Sequence, residues 1–212
     1  MDRITATKTA RMADEIEKQF PLSPEVKKAI ANTNREAFVP MGFRHNAYKL
    51  DALPIGGAQF ISSPLTVAKM TEYLIPRGAD RVLEIGCGSG YQAAVLSHLF
   101  RGVFTIERIE PLITEAKKRF RDLNLNNIHA RTDDGQNGWI SYAPYDRILF
   151  SATAKEIPQK LFAQLADGGI LVAPMQSGKE QVITRFIKHG DVIEQEELEN
   201  CDFVPILDGV QK

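Results

Sequence analysis

Hydrophobic positions along this chain follow two periods. The runs Val82–Ile85, Val103–Glu107, Arg147–Phe150 and Ile170–Ala173 are short and mostly apolar and read as strands, the first with the β-branched residues that suit burial on both faces. Ile128–Thr132 reads as a weaker strand between the second and third of these. Helical spacing fills the intervals: Tyr91–Leu99, a segment from Pro111 with Leu112, Ala116 and Phe120 on one face, and Ile157–Ala166, which Gly168 and Gly169 should stop. Three further helices are predicted ahead of the first strand. Ile4–Phe20 places Ile16 and Phe20 on one face and ends at Pro21. Ser23-Pro24 starts the second, to about Asn32 with Val26 and Ile30 inward, and Ser63-Pro64 starts the third, Leu65–Ile75. Pro174 should cut the fifth strand. Beyond it, Val182–Lys188, a turn at His189-Gly190-Asp191 and Val192-Ile193 read as an antiparallel hairpin, and Phe203–Leu207 as a last extended piece.

Alternating strands and helices with an antiparallel finish predict an α/β fold: a doubly wound, Rossmann-like sandwich whose sheet is mostly parallel, with antiparallel C-terminal strands. Residues 1–62 should supply N-terminal helices and a loop, and residues 63–212 the core, within one compact unit. Thr33–Pro64 holds Pro40, Gly42, Pro54, Gly56, Gly57 and Pro64 with little periodicity, so a lid or binding loop is expected there. Ligand should bind beyond the carboxyl ends of the strands, near the switch point.

Composition narrows the classes. The 212 residues, 43% hydrophobic and 25% charged, suit an ordinary globular core. A net charge of −1 provides no field towards nucleic acid or a membrane surface. Cys87 and Cys201 make no disulfide framework, and four histidines without ligand spacing make no metal site. No apolar run reaches membrane-spanning length. A cytoplasmic monomer is expected.

Candidate chemistry concentrates in Glu84-Ile85-Gly86-Cys87-Gly88-Ser89-Gly90, between the first strand and its helix. The dinucleotide fingerprint needs G-x-G-x-x-G, with pyrophosphate on the helix N-terminus. Here the third glycine comes one residue early, and an acid stands two positions before the first. The stretch looks like the first motif of the S-adenosylmethionine (SAM) methyltransferases, whose cofactor has a cationic amino-acid end for Glu84 to hold. Glu107, followed by Arg108, closes the second strand where a carboxylate can accept both ribose hydroxyls. Asp134-Gly135 follows the third strand, where adenine would lie: the carboxylate can accept from the amino group and a backbone N–H can reach a ring nitrogen. An Asp-Gly turn alone is common.

The blocks Leu53-Pro-Ile-Gly56, Ile61-Ser62-x-Pro64, Ala143-Pro-Tyr-Asp146, Glu156-Ile-Pro158, Gly168-Gly-Ile-Leu171 and Phe203-Val-Pro-Ile206 together resemble the protein-L-isoaspartate O-methyltransferases, from about Asn34 to the C-terminus. The resemblance implies repair of aged proteins: the SAM methyl passes to the α-carboxylate of an isoaspartyl residue, and the ester collapses to a succinimide. It also implies that Ser62 is the active-site serine, that Gln59, Phe60, Ile61 and Ser62 line the cofactor with Gly86, Gly88, Ser89 and Gly90, and that Val204 and Pro205 close over the isoaspartyl peptide. Ser63 alone would satisfy the helix cap, which leaves Ser62 free. Phe60, Asp133, Ala154-Lys155 and Asp202 depart from the family pattern. Asp202 would repel the substrate carboxylate if it faced the site, and is expected to be exposed. A SAM methyltransferase with another small or peptide acceptor, or a SAM-binding protein without turnover, remains open at this point.

Overall fold

Caps set the N-terminal helices. In the computed structural model, which describes every residue from Met1 to Lys212, Asp2 accepts from the N–H groups of Ile4 and Thr5 to start α1 (Arg3–Gln19), and Ser23 with Pro24 starts α2 (Pro24–Asn32). Ile16, Val26 and Ile30 are fully buried, as their helical spacing predicts. A short hairpin, β1 (Leu53–Pro54) and β2 (Phe60–Ile61), leads into α3 (Pro64–Tyr73). Then the strand-helix alternation begins: β3 (Arg81–Ile85), α4 (Tyr91–Leu96), β4 (Gly102–Glu107), α5 (Glu110–Asp122), β5 (Ile128–Thr132), β6 (Tyr145–Phe150), α6 (Gln159–Gln164), β7 (Leu165–Ser177), β8 (Glu180–His189) and β9 (Val192–Asn200).

The seven-stranded sheet has the order β5-β4-β3-β6-β7-β8-β9, with the β7–β8 and β8–β9 pairings antiparallel and the rest parallel. The chain runs outward from β3 to β5, then returns to pair β6 on the other side of β3. A crevice therefore opens at the carboxyl end of β3. Alternation along each strand feeds two cores. Val82, Val103 and Leu149 join the N-terminal helices, α4 and α5 in the larger cluster; Leu83, Phe104, Ile148 and Phe150 join α6 in the smaller. No helix is long and apolar enough to cross a membrane.

Four expectations are corrected. Pro174 does not cut its strand: β7 continues to Ser177, with Pro174 paired opposite Ile183. The Pro174 carbonyl accepts from Ala154 N–H, so the missing N–H falls on the side where β6 has already ended and costs no ladder bond. Gly168 does not cap a helix, because α6 ends at Gln164 and the chain enters β7 at once. Residues 166–169 instead bulge between the pairs Tyr145–Leu165 and Arg147–Ile170, tied down by Asp167 accepting from Gly190 N–H at 2.6 Å. The helix after the glycine turn stops at Leu96, short of Leu99. The strand begun at Val192-Ile193 runs to Asn200; its acidic residues lie at the sheet edge, where pairing with β8 needs no apolar pattern.

The segment from Thr33 to Pro64 is also more built than its sequence suggests. Two 3-10 turns, Arg35–Phe38 and Met41–Asn46, precede the hairpin, and Phe38, Val39, Ala47, Leu53 and Ile61 are buried in the larger core.

Candidate functional site

β3 ends at Ile85, and the five residues before α4 turn on glycines. Gly86, Gly88 and Gly90 take φ values of 95°, 52° and 90°, the left-handed region that side chains rarely adopt. The Ile106 carbonyl accepts from Gly86 and Cys87, which fastens the turn to β4. At the end of β4, Glu107 accepts from Gly88 N–H at 2.8 Å and from Ile109 N–H at 2.9 Å, one bond per carboxylate oxygen. Each oxygen keeps a further lone pair for a hydroxyl donor.

Glu84 lies deeper. It is 0% exposed, receives hydroxyl bonds from Thr105 at 2.6 Å and Ser151 at 3.3 Å, and has no cationic partner. Burial pushes its carboxyl up to about 8, the two hydroxyls opposing and the charge of Glu107 adding to the rise. A buried acid at the floor of a cleft, unpaired and held near neutrality, is a natural seat for a ligand cation.

The cleft above these acids encloses about 980 Å³, including space open to solvent. Gln59, Phe60, Ile61 and Ser62 form one lip and Phe203–Leu207 the other. Ser63 accepts from Thr66 N–H at 3.0 Å and caps α3, while the Ser62 hydroxyl makes no hydrogen bond within the protein. The capping role thus belongs to Ser63.

The fold brings thirteen of the residues singled out in the sequence to this one cleft: the Gln59–Ser62 lip, Glu84, Gly86, Gly88, Ser89, Glu107, Arg108, Gly135, Val204 and Pro205. Two lie outside its lining. Gly90 sits beneath, where a Cβ would come within 2.7 Å of the Phe120 ring. Asp134 accepts from Gln136 N–H and, through its other oxygen, from Gly209 N–H, both at 3.0 Å. Gly135 does reach the cleft, pressed so close to Ile85 that a Cβ would stand 2.4 Å from Cγ2. Arg108 points its guanidinium at the C-terminal tail, donating to the Gly209 carbonyl at 3.1 Å and to Gln211 at 3.2 Å. Asp202 is exposed, as expected.

Other contributors had no signal of their own. Thr66 and Met70 of α3 and Tyr91 and Gln92 of α4 also line the cleft. Gln181 is less visible still. Its amide accepts from Phe203 N–H at 2.7 Å and donates to the Phe203 carbonyl at 3.1 Å, as a neighbouring strand would. Thr153 completes the support, donating its N–H to Val204 and accepting from Ile206 N–H, both at 2.8 Å. Val204 N–H is left unpaired beside the cleft.

The chain matches the family model described as protein-L-isoaspartate(D-aspartate) O-methyltransferase over residues 6–211. It belongs to that family. A Helicobacter pylori (strain G27) protein-L-isoaspartate O-methyltransferase is 57% identical over 209 residues, covering 98% of this chain and all of the relative. The Shewanella oneidensis protein of the same name is 40% identical, covering 99% of each. Among solved structures, a protein-L-isoaspartate O-methyltransferase superposes with a TM-score of 0.85 at 25% identity, covering 94% of this chain and 66% of that longer one. A Plasmodium falciparum structure of the family, crystallised with S-adenosyl-L-homocysteine, shares the fold at 18% identity with a TM-score of 0.83, covering 94% of this chain and 98% of that one.

Proposed function

We propose that this protein transfers the methyl group of SAM to the α-carboxylate of L-isoaspartyl residues in damaged peptides and proteins. One observation supports it most: the buried, cation-less Glu84 carboxyl lies at the floor of the same cleft whose lips carry Ser62 and the unpaired N–H of Val204.

The residues fit that cofactor. Glu84 would hold its ammonium end, Glu107 the ribose hydroxyls, and Gly135 the adenine side of the cleft. When bound, SAM supplies an electrophilic methyl group on a sulfonium. A peptide carboxylate, with a pKa of about 4, is already ionised at neutral pH and needs no general base. No histidine lines the cleft, in keeping with that economy. The protein's task is alignment and exclusion of water, which together lower such barriers by several kcal/mol. Ser62 would orient the carboxylate, and the free N–H of Val204 would hold the peptide main chain. The tail from Asp208 to Gln211 is strapped to Arg108 and Asp134. The free thiols of Cys87 and Cys201 suit a reducing, cytoplasmic setting, and a monomer suffices because one chain supplies the whole cleft.

The test compares an isoaspartyl peptide with its normal aspartyl twin. Base-labile methyl incorporation into the first alone is expected; equal incorporation into both, or none into either, would sink the reading.

A further inference from the structure

Arg35 lies outside the cleft lining and is 0% exposed, yet no carboxylate pairs with it. A buried guanidinium ordinarily requires such a partner. Here Nη1 donates to the Ala47 carbonyl at 2.7 Å, and Nη2 donates to the carbonyls of Asp51 at 2.9 Å and Ser62 at 3.0 Å. The guanidinium carbon stands 5.7 Å from the centroid of the Tyr91 ring, and Nε has no partner. Three carbonyls from separated points of the Arg35–Ser62 segment thus converge on one cation. That cation rests on the first residue of α4, directly behind the glycine turn.

The consequence falls on Ser62. Its carbonyl is held by Arg35, and the next residue is fixed by the Ser63 cap on Thr66. With the main chain held on both sides, the direction of the Cα–Cβ bond that carries the free Ser62 hydroxyl follows from the position of Arg35. A planar fork of five N–H donors holds carbonyls at separated points in one fixed geometry; a lysine ammonium also bonds several carbonyls, as Lys188 does, but from a single nitrogen on a flexible stem, and does not reproduce that spacing. We propose that Arg35 is a positioning residue for methyl transfer: it registers the main chain of Ser62 against the helix that follows the glycine turn, without touching either reactant. This rests on the reading of Ser62 as the serine that faces the substrate.

The experiment is a kinetic cycle of Arg35→Lys, Ser62→Ala and the double variant. Calorimetric titration with S-adenosylhomocysteine counts the binding-competent protein in each preparation. Arg35→Lys should keep cofactor affinity and the isoaspartyl-peptide KM within about threefold while kcat falls about 30-fold, the scale of a small misplacement of a reacting pair. In the Ser62→Ala background the same change should add little, because the group it positions is gone. The proposal is overturned if Arg35→Lys leaves kcat within threefold, if it weakens cofactor binding as much as it slows turnover, or if the two substitutions multiply. Should Ser62→Ala turn over at the wild-type rate, the reading of Ser62 falls, an outcome separate from the other three.

Discussion

The two lips and the floor of the cleft are built by different means. The floor is continuous in sequence: β3, the glycine turn and α4 follow one another, and β4 brings Glu107 beside them after a single crossover. Its bonds are mostly main-chain, fixed by strand pairing and by left-handed glycines. The lips come from distant parts of the chain, residues 59–62 and 203–207, and neither belongs to the large sheet. Each is held by a polar side chain bonded to its main chain, the buried Arg35 for the first and the half-buried Gln181 for the second. The cofactor side is therefore as rigid as the sheet, while the substrate side depends on a two-residue hairpin, one bridge to Thr153 and a few side-chain bonds. Substitutions on the floor should strike stability and cofactor binding together; those behind the lips should strike peptide binding or turnover and leave cofactor binding unchanged.

The strongest challenge to that contrast is Gly90→Val. A side chain there meets φ of 90° and the Phe120 ring at 2.7 Å. Left-handed strain and overpacking together should cost about 3 kcal/mol, lowering Tm by about 6–12 °C with loss of cofactor binding. Retained stability and cofactor affinity would break the comparison.

Next comes pH. The Glu84 carboxyl moves from an ordinary 4.5 to about 8 on folding, chiefly by desolvation. Between those values the folded state holds the proton that the unfolded chain has released. The stabilising contribution is thus complete below 4.5 and is lost as pH rises through 8. Thermal melts of the cofactor-free protein from pH 5 to pH 8 should show a decline larger, by about 5 °C, in wild type than in Glu84→Gln. Parallel curves would show that Glu84 is not held protonated.

On the substrate side, Gln181→Ala removes both bonds to Phe203. The peptide KM should rise about tenfold, near 1.4 kcal/mol, with the S-adenosylhomocysteine Kd unchanged. Equal losses in both would place Gln181 with the floor rather than the lips. The smallest effect is expected for Asp202→Arg: an exposed charge should alter the peptide KM about threefold or less. A gain of several hundredfold in kcat/KM would mean that Asp202 obstructs the site and that another acceptor is native.

The sequence by itself determined the parts whose causes are local. Glycines at alternate positions after an apolar run dictate the turn, Ser-Pro pairs dictate helix starts, and alternating periods dictate the parallel sheet with its antiparallel finish. The acids Glu84 and Glu107 were legible because strand ends are legible. Tertiary structure alone decided whether Pro174 would break β7, since that turned on which side of the strand its missing N–H faced. It decided that the polar run Glu194–Asn200 is a strand, because pairing with β8 supplied what pattern did not. It alone gave Arg35 and Gln181 their roles: a side chain bonding to carbonyls or amides 12 to 27 residues away leaves no period in the sequence, because its partners are main-chain atoms that every residue carries.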